Sequence, residues 1–516
     1  MMTESTSSST RAPLIGALAQ WFAAQTTPLW IVGGALRDRL SGLPCHDIDL
    51  VVAGGAVALA RGCAAACGGH AAVLDPTVNI ARVTLPGVAV TFDIATLAGA
   101  SIVDDLAERD FTINAIAVAY TPAALLTLLD DTPANLADLI DPLGGVSDLV
   151  AKRLRAASDH AMHDDPLRIL RGARLAGLLD LTIDEHTLTL ARNVTAELAT
   201  VAPTRIAAEI YAICAQPHSQ RALRHLDAMG ALTTLVPPLE PCRGVQQGFL
   251  HRWDVFDHIL ETVDSLDRVV ALIAAGVAGT GSDAIVYDAA GRIEHPTALS
   301  LKGQGARILE RLHTGYLEGQ TRLTRLKVAA IFHDVGKPLT QTPTGKGDYR
   351  FPAHAEAGVP LTTPVIQGWQ LNKHVQRYVT TTILYHMRPG QMSGPHGLAD
   401  RAARHYFRDT GDLGLDIAIF SLADHLAVYG PNPLTSFWEH HYHAVAELIR
   451  RYYEEPNAVI PPRLIDGNDL IGRYDIPRGP EIQRLLDLVH SAHLDGDITT
   501  RAEAFALVEQ QLHPHT

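Results

Sequence analysis

Residues 31–52 read IVGGALRDRLSGLPCHDIDLVV, and this stretch decides the fold of the N-terminal part of the chain. Ile31 and Val32 have the pattern of a buried strand end. Gly33 and Gly34 permit a sharp turn and a close approach of the backbone to a ligand. Ala35 to Leu40 is helix-compatible, which turns its first amides, together with Arg37 and the adjacent Asp38, toward a triphosphate. Asp47 and Asp49 stand two apart in a strand-like run, so they share one face while Ile48 and Leu50 point into a core. Two hard oxygen ligands on one face suit Mg²⁺ holding the phosphates of a nucleotide. A glycine pair alone is a common turn, and D-x-D alone usually marks a solvated loop. Their combination at this spacing is what points to chemistry.

Composition sets the outer bounds. A chain of 516 residues is too long for one core, so three or more domains are expected. Hydrophobic residues make up 47% and aromatics only 6%, the balance of an Ala- and Leu-rich helical protein. No apolar run reaches the length of a bilayer span. The opening MMTESTSSSTRAP lacks the apolar centre of a secretory signal, and residues 1–12 read as a disordered tail. Cys45, Cys63, Cys67, Cys214 and Cys242 are scattered; Cys63 and Cys67 can share a helix face, but no second pair completes a zinc site. Free thiols in a reducing cytoplasm fit this pattern. The net charge of −14 argues against a surface coated in nucleic acid and leaves room for one basic groove.

Along the chain, residues 13–145 alternate helix-like and strand-like runs and read as an α/β head. Residues 146–235 are helical, and so is the block 236–455. The latter is interrupted around residues 271–306 by a Gly-rich stretch that reads as a loop insertion. Beyond the linker EEPNAVIPP, residues 456–516 form a helical tail. The expected class is α+β multidomain: a mixed-sheet head with helices, an all-α neck and body, and a second all-α domain.

Three further segments carry candidate chemistry. In TFDIATLAG, Asp93 sits on a strand between Phe92 and Ile94 and offers a third carboxylate, to deprotonate an attacking hydroxyl or bind a second metal. In DDLAERDFTINAIAV, Arg109 can neutralise a triphosphate and Asn114 can hydrogen-bond a sugar or phosphate. Asp110 either joins them or caps the next segment. In HDDPLRILRGARLAG, Asp165 can N-cap a helix with Pro166 in its first turn, while Arg168, Arg171 and Arg174 recur every third residue. The basic run at Lys152, Arg153 and Arg155 reads as a solvated helix face or a linker.

The second half has a different inventory. His258 lies in a helical run, His333 and Asp334 close an apolar helix, His354 and His386 follow, and Asp424 sits inside the apolar FSLADHLA. A single His is commonly a surface or satisfied core residue, whereas a carboxylate in an apolar helix needs a partner. Four His and two Asp make a mixed N/O ligand field for one or two divalent transition metals, able to activate water against a phosphate ester. Lys337, just after HDVG, can reach the phosphate. His425 adjoins Asp424 but is expected to point elsewhere on the helix.

GGALRD followed by DIDL resembles the nucleotidyltransferase head of the polymerase β superfamily, most of all the bacterial tRNA nucleotidyltransferase and poly(A) polymerase family. ERDFTINA is similar to the family's RRDFTINA, with Glu108 at the first Arg, and DDPLRILRGAR to EDPLRxLRxxR, with Asp164 at the Glu. The resemblance implies that Asp165 and Arg168 select the incoming base in place of a template, and that Arg171 and Arg174 serve phosphates or order the pocket. The order His, His-Asp, His, His, Asp resembles the HD-domain phosphohydrolases over roughly residues 248–426. Together these resemble bacterial CCA-adding enzymes that carry an HD domain. The implied function is addition of C, C and A to tRNA from CTP and ATP with Mg²⁺. The HD site is implied to hydrolyse 2′,3′-cyclic or 2′-phosphates with Ni²⁺, Mn²⁺ or Co²⁺. The alternatives are a poly(A) polymerase or a CC- or A-adding specialist, and an HD hydrolase with a nucleotide-binding regulatory head. A non-catalytic RNA-binding protein is disfavoured by the acidic charge.

Overall fold

The computed structural model describes residues 8–45, 47–75, 79–88, 90–129, 138–315, 320–345, 348–394 and 397–512. The chain divides into two compact units, one of Met1–Glu209 with Arg221–Leu235, the other of Ile210–Gln220 with Val236–Thr516.

The first unit opens with α1 (Ser8–Ala23), so a helix takes in residues 8–12 of the tail expected to be disordered; residues 1–7 lie outside the described residues. There follow β1 (Leu29–Val32), α2 (Gly34–Leu40), β2 (Asp47–Val52), α3 (Ala56–Cys67), β3 (His70–Asp75), β4 (Ile80–Thr84), β5 (Thr91–Thr96), α4 (Ile102–Ala107) and β6 (Ala117–Ala119). The strands form one mixed sheet of order β3-β4-β5-β2-β1-β6. Only β2 and β5 pair in parallel; the other neighbours are antiparallel. Alternation along β2 works as the sequence predicts. Ile48, Leu50 and Val52 are buried in the core shared with α1 and α3, where Leu18, Phe22, Cys63, Cys67, Phe92 and Ile94 join them. Val51, on the opposite face with the two aspartates, packs with Val32, Ile102 and Leu106 of α4.

After the sheet come α5 (Pro122–Leu129), α6 (Gly145–Val150), β7 (Arg153–Leu154), α7 (Ala161–Asp164) and α8 (Arg168–Leu179). The basic run is thus not a helix face: Arg153 lies in a strand paired with Thr182–Ile183. Arg153 and Arg155 are drawn to the fully buried Asp148 at 2.5 and 2.9 Å, and Thr112 donates a hydroxyl to the same carboxylate. A buried carboxylate needs such partners, and satisfying it overrides local helical preference.

The second unit is helical. Its central helices are Val255–Ala278, capped by the Asp254 side chain, and Leu413–Tyr429, buried along most of its length. The short piece 210–220 belongs here because the buried Lys327 ammonium donates to the Gln216 carbonyl and the Ser219 hydroxyl while pairing with Asp267. The Gly-rich stretch is less of a loop than its composition suggests. Its first residues complete Val255–Ala278, and its last form a short turn and the helix Gly305–His313. What remains irregular, residues 279–300, is tied by bridges from Tyr287 to Ile293 and from Ile293 to Leu434. The helices Gly467–Tyr474, Pro480–Asp495 and Arg501–Leu512 close the chain around a small core of Leu470, Leu485 and Val508. Among the described residues no helix is long and apolar enough to cross a membrane.

Two candidate active sites

In the first unit, the glycine pair ends β1 and starts α2. Gly33 has φ +73°, so the turn demands glycine, and a Cβ there would also stand 2.7 Å from Arg109 Nη1 and push that guanidinium aside. The strand β2 then delivers its carboxylates. Asp47 is exposed and accepts a hydrogen bond from the Thr91 hydroxyl. Asp49 is partly buried and stands in register with Asp93 on β5. Burial pushes the Asp49 carboxyl up, Arg109 opposes this, and Asp93 and Asp47 add to it. All three carboxylates line one cleft of about 680 Å³.

Every expected arginine lines that cleft, and each already donates hydrogen bonds within the protein. Arg37 donates to Asp38 at 2.7 Å and to Asn114 Oδ1 at 2.6 Å. Asn114 donates to Asp110 Oδ1 at 2.8 Å, and Arg171 donates to Asp110 Oδ2 at 3.0 Å. Four predicted residues thus form one chain from α2 to α8. Burial alone would raise the Asp110 carboxyl, but Arg171, Asn114 and the Phe111 amide hold it below the usual carboxylate range. Arg109 pairs with Asp105 at 3.1 Å, one helical turn earlier. Arg174 pairs with Glu209 at 2.7 Å.

Asp165 and Arg168, the pair expected to select the base, also line this cleft. Arg168 donates to the backbone carbonyls of Glu108, Arg109 and Ala161 at 2.9, 3.3 and 3.1 Å, tying α8 to the Arg109 segment. Asp165 accepts from the Leu167 amide at 3.2 Å and pairs with Arg205 at 2.7 Å. Since α8 begins at Arg168, Asp165 orders the turn before the helix rather than capping its first turn.

Sequence reading passed over Arg82 and Arg205. Arg82 lies opposite Asp93 on β4 and grips it with two hydrogen bonds of 2.7 and 2.8 Å. Nothing local announces either pair, because each depends on a long-range register. Asp105, by contrast, had a visible signal in its i,i+4 spacing to Arg109.

In the second unit all six expected ligands converge. His258 comes from the helix Val255–Ala278 and Asp424 from Leu413–Tyr429. His333 and Asp334, expected to close the helix, sit in the turn just after it, because the helix Arg322–Ala330 ends three residues before His333. His354 starts one helix and His386 ends another. His258 Nε2 is 2.9 Å from Asp424 and 3.4 Å from Asp334. His333 Nε2 lies 3.2 Å from Asp334, and His354 and His386 lie 3.3 and 3.8 Å from its other oxygen.

This donor set fits divalent metal. Nδ1 of His333, His354 and His386 each meets a backbone carbonyl at 2.7–2.9 Å, which fixes the rings and leaves Nε2 as the free donor. His333 Nε2 and Asp334 Oδ1 are buried with no hydrogen bond, while Asp334 Oδ2 meets the Lys337 ammonium. His354 and His386 point Nε2 at Nε2 across 3.3 Å, a contact that needs a cation or proton between them. Burial opposes charge on His333, yet Asp334 and Asp424 push it up to about 10, the mark of a field built for a cation. The facing carboxylates of Asp47, Asp49 and Asp93 fit a hard divalent ion in the same way.

Lys337 Nζ reaches Asp334 and Gln247, both at 2.6 Å. It also lines a cleft of about 320 Å³ shared with His258, His386 and Asp424. The expectation for His425 needs correction, because it lines that cleft too. It is held there by a 2.8 Å contact with His441, a residue the sequence did not single out.

Comparison with known proteins gives consistent matches. Residues 29–155 match the family described as "Poly A polymerase head domain". Residues 180–242 match "Probable RNA and SrmB-binding site of polymerase A", and residues 303–429 match "HD domain". The chain is 28% identical to the A-adding tRNA nucleotidyltransferase of Deinococcus radiodurans, over 93% of this chain and 94% of that one. It is 25% identical to the CC-adding tRNA nucleotidyltransferase of Synechocystis, over 93% and 92%. It is also 33% identical to the multifunctional CCA protein of Paracidovorax citrulli, over 49% and 61%. The solved complex of a CCA-adding enzyme with ATP shares the fold, with TM-score 0.58 and 18% identity over 98% of this chain and 96% of that one.

Proposed function

We propose that the chain, whose residues 29–155 match a poly(A) polymerase head and residues 303–429 an HD domain, is a member of the tRNA nucleotidyltransferase and poly(A) polymerase family and adds C, C and A to the 3′ end of tRNA from CTP and ATP. The observation that carries this reading is the set of Asp47, Asp49 and Asp93 on neighbouring strands, in one cleft with Arg37, Arg109, Asp165 and Arg168. The tRNA 3′-hydroxyl attacks the α-phosphate and pyrophosphate leaves. Mg²⁺ held by Asp47 and Asp49 supplies charge neutralisation at the phosphates when bound. Gly33 and Gly34 bring the backbone close to the triphosphate, and Arg37, Arg109, Arg171 and Arg174 offset its charge. Asp165 accepts from an exocyclic amine and Arg168 donates to a ring acceptor, a pairing that both C and A satisfy.

The relatives include A-adding, CC-adding and multifunctional proteins, so the product decides between them. Incubating tRNA that lacks CCA with labelled CTP and ATP, and reading the product nucleotide by nucleotide, is expected to show CCA. Asp47→Ala is expected to abolish incorporation. No incorporation by the wild type overturns the proposal, and addition of C or A alone makes the protein a specialist.

A second activity is favoured by the His258, His333, Asp334, His354, His386 and Asp424 cluster. It is hydrolysis of 2′,3′-cyclic or 2′-phosphates, with Ni²⁺, Mn²⁺ or Co²⁺ and with Lys337 at the phosphate. The whole chain is read as cytoplasmic, with the transferase head at 13–145, the neck at 146–235 and the HD domain at 236–455.

A further inference from the structure

Gln247 lies in the segment that leads into the helix Val255–Ala278 and is only 2% exposed, whereas its neighbour Gln246 is exposed. Its side-chain amide is committed at both ends. Nε2 donates to the Trp253 and Asp254 carbonyls, both at 3.3 Å, and Oε1 accepts from Lys337 Nζ at 2.6 Å. These partners fix which end of the amide is which. Reversed, an N–H would face an ammonium and the oxygen would face two oxygens. The surrounding segment is held as well. The Gly244 and Asp257 amides donate to the Asp254 carboxylate at 2.6 and 2.8 Å, and the Arg252 amide donates to the Val428 carbonyl at 2.9 Å. The Gln341 side chain donates to the Gln246 carbonyl at 2.8 Å.

Lys337 is shared between this amide and Asp334. Its Nζ is 2.6 Å from Asp334 Oδ2 and 5.4 Å from the centre of the Phe351 ring. An ammonium has three protons, so Asp334 and Gln247 take two and leave one. Lys337 lines the cleft beside the ligand cluster and Gln247 does not, so Gln247 reaches that cleft through Lys337. Without a second acceptor, the attraction of the Asp334 carboxylate would have no counterweight. The ammonium would then settle on an oxygen of the ligand cluster.

We propose that Gln247 is a positioning residue of the second site. Its carbonyl oxygen holds the Lys337 ammonium at a fixed point short of full pairing with Asp334. The remaining proton of Lys337 is thereby presented to a substrate phosphate, and Asp334 stays available to a metal. The inference rests on the phosphohydrolase reading and adds a residue beyond the six ligands and Lys337. Nothing in the run GVQQGF marks it, because its partner stands 90 residues later in the chain.

The test uses the full-length protein as wild type, Gln247→Leu, Lys337→Met and the double variant. The readouts are the Mn²⁺ affinity of the metal-stripped protein and, with Mn²⁺ restored, KM and kcat for 2′,3′-cyclic AMP. Gln247→Leu is expected to raise KM about tenfold, the worth of one hydrogen bond to a charged group, and to move kcat by no more than about twofold. It is also expected to weaken Mn²⁺ binding several-fold. In the Lys337→Met background the same substitution is expected to change neither quantity. The transferase head takes up Mn²⁺ equally in all four proteins, so their differences report the second site. Gln247→Met stands in if Gln247→Leu melts early. An equal loss with and without Lys337 overturns the positioning role. So does a lower melting temperature with KM and Mn²⁺ affinity at wild-type values. If the Mn²⁺-loaded wild type leaves the ester intact, the hydrolase reading falls instead, and the Mn²⁺ affinities of the four proteins still decide the role of Gln247.

Discussion

Arg82 and Asp93 face each other across β4 and β5, and their ion pair bears directly on how the head takes up metal. A guanidinium bound through two hydrogen bonds competes with a cation for the same oxygens. Arg82→Ala is therefore expected to lower, several-fold, the Mg²⁺ concentration that gives half-maximal nucleotide incorporation. A metal titration of the rate checks this, and a rise would make Arg82 a support for the site rather than a competitor. The carboxylates themselves were legible from D-x-D and from TFDIA, because alternation in a strand fixes which face a side chain takes. The partner of Asp93 was not legible, because it depends on which strand lies beside β5 and in which register.

Between elements, Asp110 links the segment before β6 to α8, since it accepts from Asn114 on one side and Arg171 on the other. Its folded carboxyl is held below the usual range, so its contribution to stability is present above the unfolded value of about 3.9 and is lost as pH falls through the folded value. Asp110→Asn is expected to cost about 2 kcal/mol at pH 7. In urea melts, the gap from wild type should close as the pH is taken below about 4; a constant gap would remove the charge from the explanation. Helices with strong local signals were readable: α3, α8 and Val255–Ala278 all follow the apolar spacing. Element ends were less so. The segment at Arg153 became a strand because the buried Asp148 recruits it, and α8 starts three residues after its expected cap.

For the molecule as a whole, each compact unit holds its own candidate site, so metal at one should stabilise that unit alone. Saturating Mn²⁺ at a hundred times its dissociation constant adds about 2.7 kcal/mol to the state that binds it. Thermal melts of the wild type are expected to show a Mn²⁺-dependent rise in one transition, reversed by a chelator. The rise should disappear in Asp334→Asn and persist in Asp47→Ala. Its persistence in Asp334→Asn would detach metal binding from the six-residue cluster.

The sequence by itself determined the local chemistry: the turn at Gly33, the shared face of Asp47 and Asp49, the arginine stripe of α8, and six candidate ligands in the second half. Only the tertiary structure decided who meets whom. It placed Arg82 on Asp93 and Arg205 on Asp165. It brought four histidines from separate elements around Asp334, and His425 into the cleft beside them. The division has one physical cause: periodicity sets the direction of a side chain relative to its own element, whereas strand register and helix packing, fixed by burial across the whole unit, set what stands opposite.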